Sequence, residues 1–455
     1  MISITPRFDR SLVKKYDRPG PRYTSYPTAL QFTDEADPAD LLADCRGTPG
    51  PLSAYVHLPF CESLCWFCAC TTVITLDQGK ADAYLDCLER EIDLMDPYLP
   101  ADRSLAQLHL GGGSPSFLSA PQIARLGQIL GGRFASAPDP EFSAELDPRT
   151  LNEEKVDVLR SIGFTRASFG VQDVNPEVQL AIHRVQPDAM NRKVLGWVRS
   201  AGFESINIDL VYGLPKQNPE TFSKTLDAAV DYDPDRIALF SYAHVPWVAP
   251  AQKIVERSVL PAAETKLDLL EMAVERLTGA GYVFIGMDHF AKADDPLAVA
   301  AANGTLHRNF QGYSTLGGLN LTAFGMSSIS QSARAYRQNH KDLRDYSAAV
   351  DNGRLPIARG YRLSPRDELR RAVIMELMCR FRLDLDKAAA EHGVDPREEF
   401  ADARERLAPM EEDGLVEWHG NTLAVNPAGR FIIRNIAMAF DSYARPAENR
   451  HARTI

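Results

Sequence analysis

One unit recurs through the middle of this chain: an amphipathic helix, a glycine followed by an aromatic residue, then a short apolar, β-branched run. It is read at Leu159–Phe164 leading into Arg166–Val171, at Val198–Phe203 leading into Ile206–Val211, and at Leu277–Tyr282 leading into Val283–Met287. Glycine just past a helix is the left-handed cap that ends it. A short apolar run after it suits a strand covered on both faces. Leu52–Leu58, Leu105–Leu110, Glu141–Leu146 and Arg236–Tyr242 read the same way. The alternation predicts an α/β fold with a parallel sheet, either open or curled into a full or partial (β/α) barrel.

The unit does not cover the ends. Residues 1–50 show no clear period, and Tyr16–Thr28 holds Pro19, Pro21 and Pro27 among Tyr16, Tyr23 and Tyr26. Proline removes a donor and clashes with a preceding helical turn, so this stretch is no regular helix. Its aromatic content suits an ordered arm lying across another domain. After about residue 340 the pattern changes. Asp367–Arg380 reads as a helix, and Val416–Val425 as a hairpin turning at Gly420-Asn421. Helices before such a hairpin resemble a winged helix. The expected organisation is an arm over 1–50, a catalytic barrel over 51–345 and a smaller, mostly helical, winged-helix-like domain over 346–455.

Charge and hydropathy narrow the function classes. A net charge of -11 opposes a general nucleic-acid binder, which needs a basic face. Hydrophobic residues at 45% and charged residues at 24% are globular values. No apolar run approaches the roughly 18 residues that span a bilayer. The start, Met1 to Arg7, lacks the apolar stretch of a signal peptide, so a cytoplasmic location is expected.

Four of the seven cysteines fall in one short segment, as Cys61-x3-Cys65-x2-Cys68 followed by Cys70. The segment lies just after the first expected strand, in a loop where a barrel keeps its chemistry. Thiolates so spaced can converge on one metal centre. A structural zinc site would want a second Cys/His pair, and none is evident. An electron-transfer iron–sulfur cluster would want four thiolates. Three suit a cluster whose fourth iron is open to a small molecule. Glu145, Gln172, Asp209 and Ala243 fall near the C-termini of four successive expected strands, which meet at one barrel mouth.

This segment resembles that of the radical S-adenosylmethionine enzymes, whose [4Fe-4S] cluster is held by three cysteines and chelates the amino acid end of S-adenosylmethionine. Cys61, Cys65 and Cys68 match those ligands. The arm Gly20–Thr28, the extra Cys70, and the segments Gly111–Ser116, Gly170–Asp173, Asn207–Gln217, Gly286–Ala291, His307–Tyr313 and Ile433–Ile436 narrow the resemblance to the branch acting on coproporphyrinogen III without oxygen. It implies cleavage of S-adenosylmethionine to a 5′-deoxyadenosyl radical, hydrogen abstraction from a propionate β-carbon, and loss of CO2 and one electron, twice over, to give protoporphyrinogen IX. Tyr55, Phe67, Gly112, Glu145 and Ile329 would serve the cluster-bound S-adenosylmethionine. Gly113, Ser114, Gln172, Arg184, Asp209 and Ala243 would border a second S-adenosylmethionine or the substrate. Cys70, Arg22 and Tyr26 are the expected catalytic residues, with the arm closing over the substrate. Arg22, Arg184, Arg308 and Arg434 are candidates to meet its four carboxylates. Expected partners are the tetrapyrrole and an electron donor such as flavodoxin or ferredoxin, with no nucleic acid, and the expected state is a monomer.

The sequence also departs from that pattern. Ala69 stands between Cys68 and Cys70 where glycine is usual, Ser114 replaces a threonine, and Tyr313–Leu321 lacks acidic residues. A haem-binding chaperone paralogue, or another radical enzyme acting on a tetrapyrrole, is therefore the alternative reading. Such chaperones lack both the arm and the extra cysteine.

Overall fold

The computed structural model describes residues 7–47, 50–255 and 260–444. The polar start discussed above therefore lies, Arg7 excepted, outside the described residues. The main body is a sheet of twelve strands. In chain order they are β1 (Leu52–Leu58), β2 (Leu105–Gly112), β3 (Ser136–Leu146), β4 (Arg166–Gln172), β5 (Ser205–Tyr212), β6 (Arg236–Ser241), β7 (Val283–Gly286), β8 (His289–Ala291), β9 (Leu321–Phe324), β10 (Ile329–Gln331), β11 (Ala335–Asn339) and β12 (Ile357–Arg362). Their spatial order is β12-β11-β10-β9-β1-β2-β3-β4-β5-β6-β8-β7.

The centre, β9 and β1 to β6, is parallel throughout. Helices such as Gly79–Met95, Ala120–Gly131 and Pro219–Asp231 connect these strands. Each local signal has a visible cause. Ala120–Gly131 starts in a capping box formed by Ser119 and Gln122, and buries Ile123, Leu126, Ile129 and Leu130 on one face. Gly163 and Gly202 follow their helices at φ of 101° and 80°, a conformation that glycine adopts without strain. Fully burying a leucine such as Leu126 contributes about 1.5–3 kcal/mol, and dozens of such side chains form one core around the parallel strands.

Two expectations about the sheet are corrected. Val283–Met287 was read as one more parallel strand. It does run in the direction of β6 but does not pair with it: β8 lies between the two and is antiparallel to both. The reversal is made at Gly286 and Met287, whose φ values are 151° and 51°. Apolar patterning reports burial and not which strand is the neighbour, so it does not reveal the inserted β8. The boundary expected at residue 345 falls inside the helix Leu343–Asp351, and the sheet continues through β12 to Arg362.

A second core forms around the helix Pro365–Arg380 and the hairpin Val416–His419/Thr422–Val425. Leu369, Val373, Ile374 and Leu377 meet Leu415, Leu423, Ile433 and Ile436 there. The arm contributes Val13, Tyr23 and Tyr26 to the same core. Tyr23 donates its hydroxyl to Asp441 at 2.9 Å, and the Ser442 amide donates to the Tyr26 hydroxyl at 3.1 Å. Arg434 donates to the carbonyls of Pro21, at 2.9 Å, and Gly20. Prolines and aromatics thus make the arm an integral strap of the C-terminal body. No described helix is long and apolar enough to cross a membrane.

Candidate active site

The parallel strands place their C-terminal ends at one mouth. Beyond β1, the chain makes a two-stranded step, Phe60–Cys61 against Val73–Ile74, and the loop between carries Cys65, Cys68 and Cys70. All four cysteines line a cavity of about 180 Å³ with Phe67, Gly112, Gly113, Ser114, Glu145, Gln172, Arg184 and Asp209. Eleven expected site residues and the extra Cys70 therefore stand around one space.

The glycines are there for close approach. A Cβ on Gly113 would lie 2.5 Å from the Pro59 carbonyl oxygen, and one on Gly112 would lie 2.8 Å from the His57 ring. Gly112 also has φ of 117°. The loop can run beside the cysteine segment only without side chains. Ser114 has a structural duty as well. Its hydroxyl accepts from the Asp147 amide at 3.1 Å and pairs with the Ser116 hydroxyl at 2.7 Å.

Hydrogen-bond donors converge on two of the cysteine sulfurs. Arg149 and Arg184 approach the Cys65 sulfur at 3.3 and 3.6 Å, and both also hold Asp147, at 2.6 and 3.1 Å. Despite burial, those guanidinium groups hold Asp147 down to about 2. The Cys70 thiol and amide donate to Cys68, the amide at 3.4 Å, and bring the Cys68 thiol below its ordinary value. That same bond, and repulsion from the Cys68 thiolate, push Cys70 well above its ordinary value. Burial pushes Cys61 up to about 12. Three thiols around one cavity beside cationic donors fit a cluster ligated by three cysteines. Among the described residues, no three His, Cys, Asp or Glu side chains are gathered as for a single metal ion.

Sequence reasoning missed Asp147, Arg149 and His109. The first two stand directly after β3, where a polar Asp-Pro-Arg run beside Glu145 was the available signal. His109 donates to or accepts from Ser143 at 2.6 Å, approaches Glu145 at 3.2 Å, and stacks on Tyr55 with centroids 5.8 Å apart. Burial raises Glu145, but the His109 contact and the Gly112 amide outweigh it and leave the carboxyl below its ordinary value. Tyr55 also contacts His57 at 3.1 Å, and a second cavity joins Tyr55, His57, His109 and Glu145 to Ile329.

Asp209 is different. Burial, and repulsion from Glu145, push it up to about 7 against the hydrogen bond from Asn207 at 2.8 Å. Its folded value lies above the unfolded one, so the folded state holds the extra proton. Stability therefore falls as pH rises from about 4 towards about 7. Asp209→Asn is expected to melt several degrees higher than wild type at pH 8 but not at pH 4. Its activity should fall roughly ten-fold, as from losing a charged hydrogen bond of about 1.5–3 kcal/mol. Melting curves at the two pH values, beside an activity assay, check both parts.

Three expected residues lie elsewhere. Ala243 does not line the cysteine cavity, although its carbonyl accepts from Gln252, whose amide also reaches the Phe67 carbonyl. Arg22 pairs with Asp288, and its guanidinium sits 5.3 Å from the Phe240 ring centroid. Tyr26, expected at the substrate, is fully buried in the C-terminal core and lines neither of these cavities. Its ring is needed for packing, which aromatic content alone does not distinguish from ligand contact.

Residues 55–229 match the model of the radical SAM superfamily, and residues 363–432 match the HemN C-terminal domain. The curated protein of Salmonella typhimurium named oxygen-independent coproporphyrinogen III oxidase is 47% identical over 439 residues, covering 96% of each chain. A protein of that name from Synechocystis is 44% identical over 448 residues, again covering 96% of each. The solved structure of coproporphyrinogen III oxidase from Escherichia coli, described as a radical SAM enzyme, aligns with a TM-score of 0.92 and 44% identity, over 97% of this chain and all of that one. Likeness of that extent, with both family regions in order and three thiols at the barrel mouth, makes this chain a member of the oxygen-independent coproporphyrinogen III oxidases of the radical S-adenosylmethionine superfamily.

Proposed function

We propose that this enzyme oxidatively decarboxylates two propionate side chains of coproporphyrinogen III to vinyl groups, giving protoporphyrinogen IX for haem synthesis. The observation that carries the reading is the single cavity shared by three thiols, Gly112, Glu145 and Asp209. Cys61, Cys65 and Cys68 would hold the [4Fe-4S] cluster. When bound, the cluster and S-adenosylmethionine supply one-electron chemistry strong enough to take hydrogen from an unactivated carbon.

The chain's own residues do the rest. Arg149 and Arg184 donate to the Cys65 sulfur, and Cys70 donates to that of Cys68. Tyr55, Phe67, Gly112, Glu145 and Ile329 position S-adenosylmethionine, with the Glu145 carboxylate suited to its cationic end. Gly113, Ser114, Gln172, Arg184, Asp209 and Ala243 border a second S-adenosylmethionine or the substrate. The exposed Cys70 faces the same cavity, where it would act in turnover and not as an iron ligand. Arg22 is offered as a contact for a substrate carboxylate. Reduction would come from a flavodoxin or ferredoxin, and the working unit would be a cytoplasmic monomer.

The test is anaerobic turnover of coproporphyrinogen III with S-adenosylmethionine and a reductant, followed by mass spectrometry. The expected product has lost CO2 and two hydrogens twice, through an intermediate that has lost them once. A tetrapyrrole of unchanged mass, or a methylated one, would overturn the reading and favour the chaperone or another radical enzyme.

A further inference from the structure

The barrel interior is walled by polar side chains where a (β/α) barrel is ordinarily filled by apolar ones. A cavity of about 190 Å³ runs down it from Glu145 and Asp209, past Ser143 and Asn207, to Arg166 and Arg236. Glu141, also on this wall, precedes Glu145 by four residues in β3. The floor therefore lies about 13 Å below the mouth at strand spacing.

The floor holds more donors than partners. Arg166 pairs with Glu141 at 3.1 Å, and Arg236 Nε meets Asp295 at 2.8 and 3.0 Å. Yet Arg166 Nη1 and Arg236 Nη2 are buried without a hydrogen-bond partner, as are His289 Nδ1 and Gln311 Nε2 on the same cavity. Unpaired buried donors are costly and call for an acceptor. The two guanidinium groups are close enough that Arg236 works against the charge on Arg166, after burial itself. Burial and nearby cations, Arg236 among them, also keep His289 neutral, so it can donate or accept. Two planar forks facing one narrow space are suited to a carboxylate.

We infer that Arg166 and Arg236 form a carboxylate subsite at the barrel floor, which takes a substrate propionate other than the one reacting. This rests on the function proposed above. The reacting propionate must lie at the mouth beside the cysteine cavity, while the floor is one strand length away. The acidic mouth, with Glu145 and Asp209, suits the cationic cofactor, and the floor supplies the cations that a polycarboxylate needs.

The test measures binding of coproporphyrin III, the oxidised macrocycle with the same four carboxylates, to the reconstituted holoenzyme by absorbance titration. Arg236→Gln/Asp295→Asn and Arg166→Gln/Glu141→Gln each remove an ion pair whole, so no unpaired buried charge is left. Each is expected to weaken binding at least ten-fold while iron content and melting temperature stay near wild type. Equal affinity in the folded variants would overturn the subsite and leave a water-filled lumen. Should either double variant misfold, Arg236→Lys keeps the charge opposite Asp295 but lacks the unpaired nitrogen. It should bind several-fold more weakly, and unchanged affinity there would equally refute the inference. Absence of any decarboxylated product from wild type would instead refute the function reading, with the affinity comparison still readable.

Discussion

Replacing any one of Cys61, Cys65 or Cys68 by serine is expected to abolish both the cluster and all activity. The three thiols line one cavity, and each would fill one of only three protein ligand positions. No cysteine outside the segment Cys61–Cys70 lies near enough to substitute. Cys87 and Cys379 are buried in separate cores, and Cys45 accepts from Arg337 at 2.8 Å. The anaerobically reconstituted variants should lose the absorbance at roughly 410 nm that marks thiolate-bound iron–sulfur centres. Cys70→Ser provides the contrast. Its serine hydroxyl can still donate to Cys68, so iron should match wild type, while activity falls because the exposed thiol in the cavity is gone. Iron retained at wild-type levels in a Cys61, Cys65 or Cys68 variant would remove that residue from the ligand set. Iron lost from Cys70→Ser as completely as from Cys68→Ser would add a fourth ligand.

Deleting residues 1–30 is expected to destabilise the whole C-terminal body, not merely to uncover the substrate. The deletion takes Val13, Tyr23 and Tyr26 out of a closed core, where they are 1%, 1% and 0% exposed. Core truncations cost about 2–5 kcal/mol each. The deletion also leaves the buried Asp441 and Arg434 without their arm partners. A loss of roughly ten degrees or more in melting temperature follows from those magnitudes. Arg22→Gln/Asp288→Asn separates substrate contact from packing, because it removes the ion pair whole and the Arg22 side chain is 39% exposed and lies outside the core. It should melt near wild type while KM rises roughly ten-fold, as expected for one charged hydrogen bond. A deletion that melts like wild type would show that the arm is not part of the core.

The chain displayed its fold and its site unevenly. Helix ends were legible because Gly163 and Gly202 do one conformational job that few other residues do. The convergence of the cysteines on one cavity was legible because their close spacing in one βα loop keeps the thiols together. The neighbour of β7 was hidden, since β8 is only the three residues His289–Ala291 and carries no apolar run of its own. Tyr26 was misplaced because an aromatic, proline-rich strap looks alike whether it lies on a ligand or on a helix. The polar lumen was hidden for a different reason. Gln107, Glu141, Arg166, Asn207 and Arg236 are scattered singly through apolar strands, and only strand register brings them to one wall. His109 and Glu145 likewise meet through register, His109 lying opposite Ser143, two residues before Glu145.

The most direct test of the account follows the hydrogen. Coproporphyrinogen III deuterated at the propionate β-carbons is turned over anaerobically with S-adenosylmethionine, and the 5′-deoxyadenosine formed is analysed by mass spectrometry. The account predicts deuterium in that 5′-deoxyadenosine from wild-type enzyme. It predicts no 5′-deoxyadenosine at all from Cys65→Ser. Release of 5′-deoxyadenosine free of deuterium, with the propionates intact, would contradict it.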